Sequence, residues 1–399
     1  MRILLINQYF PPDASATAYL IGELSEDLAA THEVWIIAGR PSYNADRETF
    51  RPRSVRLVRA WSTTFARTSL AGRALNYSTF LLTAFLRSLL CPRPDVIVAF
   101  TDPPVVGLIG LIAARRHGAP LVYACMDIFP DVSVALGVVH SPIAVRLWGS
   151  VNRLQRRGSS RIVAIGRDMV EKLEAEGVPS NKVVFIPNWG VEPPPLGDVE
   201  IARTQMGWHG RRVVMHAGNI GLAQNLGVVL DAAEILLQRS PDVLFVLMGD
   251  GAARNKLQLE ARRRRLSNVA FLDHLPKEDA QTSIAAADLH LVSLAPGLRG
   301  SVVPSKVYGL LAASMPFVAA VDEDSEIHRI IIEYGCGSRV APGDGAQLAH
   351  EIIALSSEDL SRMGQSARRA FEERYTRLRA TRAYGALLEE VALGSRGAR

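Results

Sequence analysis

Lys306 is the residue whose setting first suggests chemistry. It follows Pro304 and Ser305 in SVVPSKVYGLLAASMPFVAAV (Ser301–Val321), a run otherwise nearly all apolar. Proline and serine are helix-start residues, so Lys306 falls in a first helical turn. A cation is unfavourable there, beside the positive end of the helix dipole. A bound phosphate would reverse that sign. The residues alone leave two readings open, a lysine on a wet helix face and an anion site.

Two glycine loops offer such an anion further partners. In MHAGNIGLAQNLG (Met215–Gly227), Gly218 and Gly221 let backbone approach a ligand, and a helix begins soon after. In LMGDGAAR (Leu247–Arg254), Gly249 and Gly251 flank Asp250 between an apolar run and a helical one. Each loop reads equally as an ordinary tight turn. In the first half, Asp127 follows the apolar run Leu121–Cys125 within DIFPD, and reads either as a ligand-facing carboxylate or as a helix cap. Asp102 precedes Pro103 and Pro104 and reads as a turn residue. Asp322–Asp324 (DED) contains an acidic D-x-D, for which a capped helix start is the plainer reading. The three cysteines, Cys91, Cys125 and Cys336, are widely spaced and form no C-x-x-C, so neither a disulfide framework nor a zinc site is indicated. A reducing compartment fits.

The elements that must position these residues follow from the apolar pattern. Runs of four to six apolar residues alternate with helix-like segments from Ile3–Ile6 to Val183–Ile186, and again from Val213–His216 to Phe317–Val321. Such runs indicate parallel strands buried on both faces. The first helix, over Ala16–Ala30, carries Leu20, Leu24 and Leu28 on one stripe with Ser15 as its cap. The alternation pauses at NWGVEPPPLGDVE (Asn188–Glu200), where three prolines exclude a helix or a central strand. The expected fold is α/β, with two doubly wound Rossmann-like domains facing a cleft. The expected limits are 1–190, 191–375, and a helical tail over 376–399 that packs back on the first domain. The segment Ser357–Leu393 reads as helical throughout. In open α/β sheets ligands bind beyond the carboxyl ends of the strands.

Composition narrows the partners. The chain has 399 residues, 48% apolar and 21% charged, with a net charge of +5. That mild excess suits an anionic small molecule, a lipid surface or nucleic acid, without choosing among them. The basic tract ARRRRL (Ala261–Leu266) lacks interleaved aromatics and reads as a solvated helix face, so nucleic acid is not expected. MRILLINQYFPP reads as a first strand and not as a signal peptide. No apolar stretch reaches the ~20 residues of a membrane span. Phe65–Pro94 carries Arg67, Arg73, Arg87 and Arg93 around an apolar helix. It suits either an interfacial helix on anionic lipid or a helix packed on its own sheet.

In order along the chain, NQYFPPDASATAYLIGELSEDLA, TDPPVVGL, DIFPD, IPNWGV, AGNIG, MGDG, FLDHLPKED, AADLHLVSL, VPSKVYGLLAASMPFVAAV, DSEIHRI and GCGSRVAPGDGAQLA resemble the retaining GT-B glycosyltransferases of family 4. The resemblance covers nearly the whole length. YFPPD, DIFPD and PSKVYG narrow it to the branch that assembles bacterial surface polysaccharides, similar to colanic-acid, O-antigen and fucosamine transferases.

That resemblance implies a nucleotide diphosphate sugar, UDP by frequency in the family, held by the second domain. Its pyrophosphate would meet Lys306, Ser305 and the backbone of Gly218, Asn219 and Gly221, with Arg299 as a second positive charge and Gly249, Asp250 and Gly251 alongside. The base would sit against His274 and Leu275, and the ribose against Glu326. The acceptor, a saccharide or a polyprenyl-diphosphate-linked one, would dock near Asp13, Ala14 and Ser15, with Asp127 positioning a hydroxyl. No metal and no cofactor beyond the nucleotide sugar are implied. The place of action would be cytoplasmic, peripheral on the inner face of the plasma membrane. The chain departs from the family pattern at Asn219 and Gln224, where Arg and Lys are usual, at Ser301 and Gly309, where glutamates are usual, and at Ser314, where glycine is usual. Those departures keep two other readings in view, a non-catalytic nucleotide-sugar-binding subunit and a GT-B epimerase.

Overall fold

The computed structural model describes residues 1–13, 15–41, 54–65, 70–193, 198–273 and 282–397. They form two compact units. The first comprises residues 1–188, 300–302 and 377–399, and the second residues 189–299 and 303–376.

The first unit is built on β1 (Arg2–Ile6), β2 (Glu33–Ala38), β3 (Arg56–Arg59), β4 (Val96–Ala99), β5 (Leu121–Cys125), β6 (Arg161–Ala164) and β7 (Val183–Phe185). All pair in parallel, in the order β3-β2-β1-β4-β5-β6-β7. Strands β4 and β5 are buried at every position, as continuous apolar runs covered on both faces require. The helices are α1 (Ala16–Ala29), α2 (Leu70–Leu90), α3 (Val106–His117), α4 (Asp131–Ala135), α5 (Pro142–Gly158) and α6 (Arg167–Ala175). Ser15 caps α1, its hydroxyl accepting from Ala18 N–H at 3.2 Å.

The second unit has β8 (Arg212–Ala217), β9 (Val243–Met248), β10 (Val269–Leu272), β11 (Leu289–Ser293), β12 (Phe317–Ala320) and β13 (Gly337–Val340). They too are parallel, in the order β10-β9-β8-β11-β12-β13. The helices are α7 (Val199–Gln205), α8 (Gly227–Arg239), α9 (Arg254–Arg263), α10 (Lys306–Ala312), α11 (Glu326–Tyr334), α12 (Gly345–Ala354) and α13 (Ser357–Arg374), and α14 (Arg377–Gly397) belongs to the first unit. Packing holds α8 in place, because Val228, Val229, Ala232, Ala233 and Leu236 are buried in one core with strand residues such as Phe245 and Leu289.

Two elements differ from expectation. β13 forms at the sheet edge from GSRV, too short and too polar to stand out by alternation. The tail is not one helix. It breaks at Tyr375, which is fully buried, packs its ring near Tyr308 and Tyr334, and accepts from Gly190 N–H through its carbonyl. No glycine or proline marks that break. Burial of one aromatic sets it.

Candidate active site

In the second sheet the strand order reverses between β8 and β11. Loops leaving the carboxyl ends of neighbouring strands on either side of such a switch point converge on ligand. Gly218, Asn219 and Gly221 follow β8, Gly249–Gly251 follow β9, Arg299, Ser305 and Lys306 follow β11, and Glu326 follows β12. His274 and Leu275, after β10, lie outside the described residues, as does Ala14.

The β8 and β9 loops are stitched together through backbone. Gly218 N–H donates to Met248 O at 2.9 Å, Ile220 N–H to Asp250 O at 2.8 Å, and Ala253 N–H to Ile220 O at 3.0 Å. The closeness explains two of the glycines. A Cβ on Gly249 (φ +135°) would lie 2.0 Å from Gly218 O, and one on Gly251 (φ +157°) 2.4 Å from Ile220 O. Gly221 has a different surrounding, the Asn219 and Gln224 side chains.

Those two side chains occupy the positions where the resemblance expects cations. Gln224 Oε1 accepts from Gly221 N–H at 3.1 Å and from Asn219 Nδ2 at 3.4 Å. The amides close the loop on itself.

Lys306 stands beside this loop. A Cβ built on Gly218 would be 3.8 Å from Lys306 Cε and 3.9 Å from its Nζ. α10 begins at Lys306, but Ser305 supplies no side-chain cap. The lysine is on no wet face. The residue is half-buried, with its ammonium turned to His216. Burial lowers that ammonium to about 7. Nζ lies 2.8 Å from His216 Nδ1. Nζ also lies 3.0 Å from His216 Nε2, which in turn lies 3.1 Å from Asn219 O, so the ammonium is within reach of both ring nitrogens. Burial, and then Lys306 itself, hold His216 well below the usual imidazole range, so it stays neutral. His290, paired across β8 and β11 with Met215, is also buried, and burial puts it at about 4.

The remaining predicted donor-side residues vary in exposure. Arg299 is exposed, and its backbone N–H, like that of Gly297, points at Asp322 Oδ2. Asp322 therefore holds the loop before α10, while Ser325 caps α11. Glu326 is the first residue of α11 and fully buried. Asp250 is exposed and accepts from Gly251 N–H. At Gly309, on an exposed part of α10, a Cβ would meet nothing within 4 Å. Ser314 adopts φ +59°, the region that explains the usual glycine.

The first sheet reverses between β1 and β4. Asn7 Oδ1 accepts from Asp102 N–H at 3.2 Å, and Gln8 N–H donates to Asp102 O at 2.7 Å, joining the two loops. Asp13 is fully buried, its carboxylate beside Phe10 N–H and charge-coupled to Arg59. Ser15 serves as the α1 cap. Arg59 donates to Gly39 O at 2.8 Å and Pro11 O at 2.5 Å. Asp127 caps no helix, since the cap position of α4 is Pro130. Burial, and then the Asp102 carboxylate, push Asp127 up to about 7. Its backbone bridges Val302, and Ser301 nearby accepts from Lys172 Nζ at 2.9 Å.

Sequence reasoning missed His216, His290, Asn7 and Arg59. For the histidines a signal existed, a polar residue inside an otherwise apolar buried strand, which must find a partner. The ARRRRL tract is not a free basic patch: Arg263 and Arg264 pair with Glu260, and Arg264 also with Asp231. Among the described residues no three His, Cys, Asp or Glu side chains gather where a metal ion could be held.

Residues 16–189 match the glycosyl transferase 4-like domain, and residues 211–358 match the glycosyl transferases group 1 domain. The chain is 28% identical over 390 residues to WbjE of Pseudomonas aeruginosa, a protein named as a probable glycosyltransferase, covering 94% of each. It is 25% identical over 351 residues to WcaI of Escherichia coli K12, a protein named for colanic acid biosynthesis, covering 83% of this chain and 86% of that one. Among solved structures, HepE of Anabaena in complex with UDP-glucose superposes with a TM-score of 0.74 at 18% identity, over 98% of this chain and 100% of that one. The fold is that of the GT-B glycosyltransferases.

Proposed function

The chain belongs to the GT-B glycosyltransferases of family 4, and we propose that it transfers a sugar, with retention of anomeric configuration, from a UDP-sugar to a saccharide or polyprenyl-diphosphate-linked acceptor. The setting is bacterial surface-polysaccharide synthesis, in the cytoplasm at the inner face of the plasma membrane. WcaI and the UDP-glucose complex of HepE support the pathway and the nucleotide.

One observation carries the chemistry: Lys306 Nζ beside the Gly218 backbone at the strand switch point. As the glycosidic bond to the donor breaks, negative charge grows on the leaving diphosphate. Lys306, protonated by the presence of that diphosphate, stabilises it together with Arg299 and backbone N–H groups, with no metal. A leaving-phosphate oxygen takes the acceptor hydroxyl proton, so no side-chain base is needed. Asp127 positions the hydroxyl. Glu326 supports the ribose.

The test is nucleotide release from UDP-sugars. Acceptor-dependent release of UDP supports transfer. Acceptor-free release with a rearranged sugar supports the epimerase, and binding without release the non-catalytic subunit. Lys306→Ala is expected to lower turnover on the order of a hundredfold or more, with the fold intact by circular dichroism. Unchanged turnover removes Lys306 from the mechanism.

A further inference from the structure

On one side of the first sheet, α3 lies between α2 and α5. These three helices have 21, 12 and 17 residues and contain no aspartate or glutamate. The chain as a whole carries 40 acidic residues among 399. Arginines are retained on all three helices, including the exposed Arg87, Arg116, Arg146 and Arg153. Charge has been sorted onto this side.

The same helices expose large apolar side chains. On α2, Leu82 is 63% and Leu86 51% exposed, and on α5, Ile143 is 70% and Leu147 65% exposed. Leu154 continues the α5 stripe, and Ile112 of α3 lies outward as well. The α5 residues recur at helical spacing with Arg146 and Arg153 between them and Arg157 just beyond. They cannot be turned inward, because the inner side of α5 is occupied. Trp148 stacks on Phe129 with centroids 5.5 Å apart, and Asn152 and Gln155 are buried and bonded to each other at 2.7 Å. Gly107 of α3 leaves room for Gln155, since a Cβ there would lie 2.4 Å from its Oε1.

The neighbouring helices α4 and α6 do carry acidic groups. Asp131 of α4 is paired with Lys172 at 2.5 Å, Glu176 is paired with the buried Arg156, and Glu171 and Glu174 lie on α6. Apolar side chains interleaved with arginines, free of acids, match an anionic bilayer, where apolar groups enter the acyl boundary and cations meet head groups. Among the described residues no helix is long and apolar enough to cross a membrane.

We propose that the outer faces of α2, α3 and α5 together form a docking surface for an anionic lipid bilayer. This extends the interfacial segment around α2 to a surface of three helices with α5 as a main contact. It rests on the lipid-linked acceptor only for its purpose.

The experiment is co-sedimentation of the full chain with phosphatidylglycerol–phosphatidylcholine vesicles and with pure phosphatidylcholine vesicles. Stronger binding to the anionic vesicles is expected, falling as salt rises. Each arginine near such a surface is worth about fivefold in partition. The pair Arg146→Gln and Arg153→Gln should therefore weaken binding about thirtyfold. Ile143→Ser with Leu147→Ser should also release the protein. An unchanged melting temperature and unchanged UDP-induced stabilisation show that these variants fold. Wild-type binding by the variants, equal binding to both vesicle types, or no binding overturns the proposal. So does a dimer that Leu147→Asp converts to monomer, which would give the face to a second copy. If vesicle binding behaves as expected while no UDP-sugar is turned over, the surface stands and the transferase reading falls.

Discussion

Lys306 Nζ lies 2.8 Å from Nδ1 and 3.0 Å from Nε2 of the neutral imidazole of His216, within the second unit and next to the Gly218 backbone. A lysine held by an uncharged acceptor gives up little of its demand for an anion. Burial has already lowered it to about 7, so the site without ligand is only partly charged.

Binding of UDP should therefore be accompanied by proton uptake. At pH 8 the free lysine is mostly neutral, and a diphosphate favours its charged form. Calorimetry of UDP binding in two buffers of different ionisation enthalpy should show uptake approaching one proton, absent in Lys306→Gln. Stability should carry the same sign. With the folded value below the ordinary 10.5, the unfolded chain binds more protons between about 7 and 10.5, so stability rises with pH across that window. Lys306→Gln should flatten the rise in thermal melts.

His216 should act on donor binding through Lys306. His216→Phe removes both ring nitrogens, the partners of Lys306 Nζ and of Asn219 O. An increase of about tenfold in KM for the donor is expected, the size of one lost hydrogen bond. His216→Asn, which keeps an acceptor, should recover part of it. Equal KM values for all three proteins would reduce His216 to a filler of the strand.

Asp127 should give the opposite pH arm. Its folded value of about 7 lies above the ordinary 3.8, so the folded chain binds more protons between these values. Its contribution then makes stability fall as pH rises from about 4 to 7. Asp127→Asn should remove that fall. A melting curve in which the variant parallels the wild type from pH 4 to 7 would show that Asp127 ionises as freely as an exposed carboxylate.

Two glycines should respond in opposite senses. Gly249→Ala sets a Cβ 2.0 Å from Gly218 O at a positive φ, and should cost at least about 2 kcal/mol. It should also abolish stabilisation by UDP, because the β8 loop must move. Gly309→Ala meets nothing within 4 Å inside α10 and should gain up to about 1 kcal/mol. Chemical denaturation of both variants checks the contrast.

Much of the fold was readable because parallel strands are buried on both faces. LVYAC and VLFVLM announce β5 and β9 to the residue. β13 was not readable, since an edge strand needs only one good neighbour and GSRV has no pattern to show. Nor was the break at Tyr375, where tertiary burial overrides a helical sequence. At the site, glycine spacing pointed to the β8 and β9 loops, and Pro304 and Ser305 to the start of α10. The pairing of Asn219 with Gln224 and of His216 with Lys306 joins side chains 5 and 90 positions apart. The second depends on strand order, which local spacing does not contain, and the first on the path of the β8 loop.

α14 completes the first unit from beyond the whole of the second in sequence. Tyr384, Leu387, Leu388 and Val391 are buried there, and Arg377 reaches Asp27 of α1 at 2.7 Å. During synthesis the ribosome releases this helix only after the second unit has been made. The half of the protein made first must wait for it before its surface is closed. A nascent chain stalled after Thr376 would thus display an unfinished first unit beside a second unit already translated in full, a state that quality-control proteases could recognise.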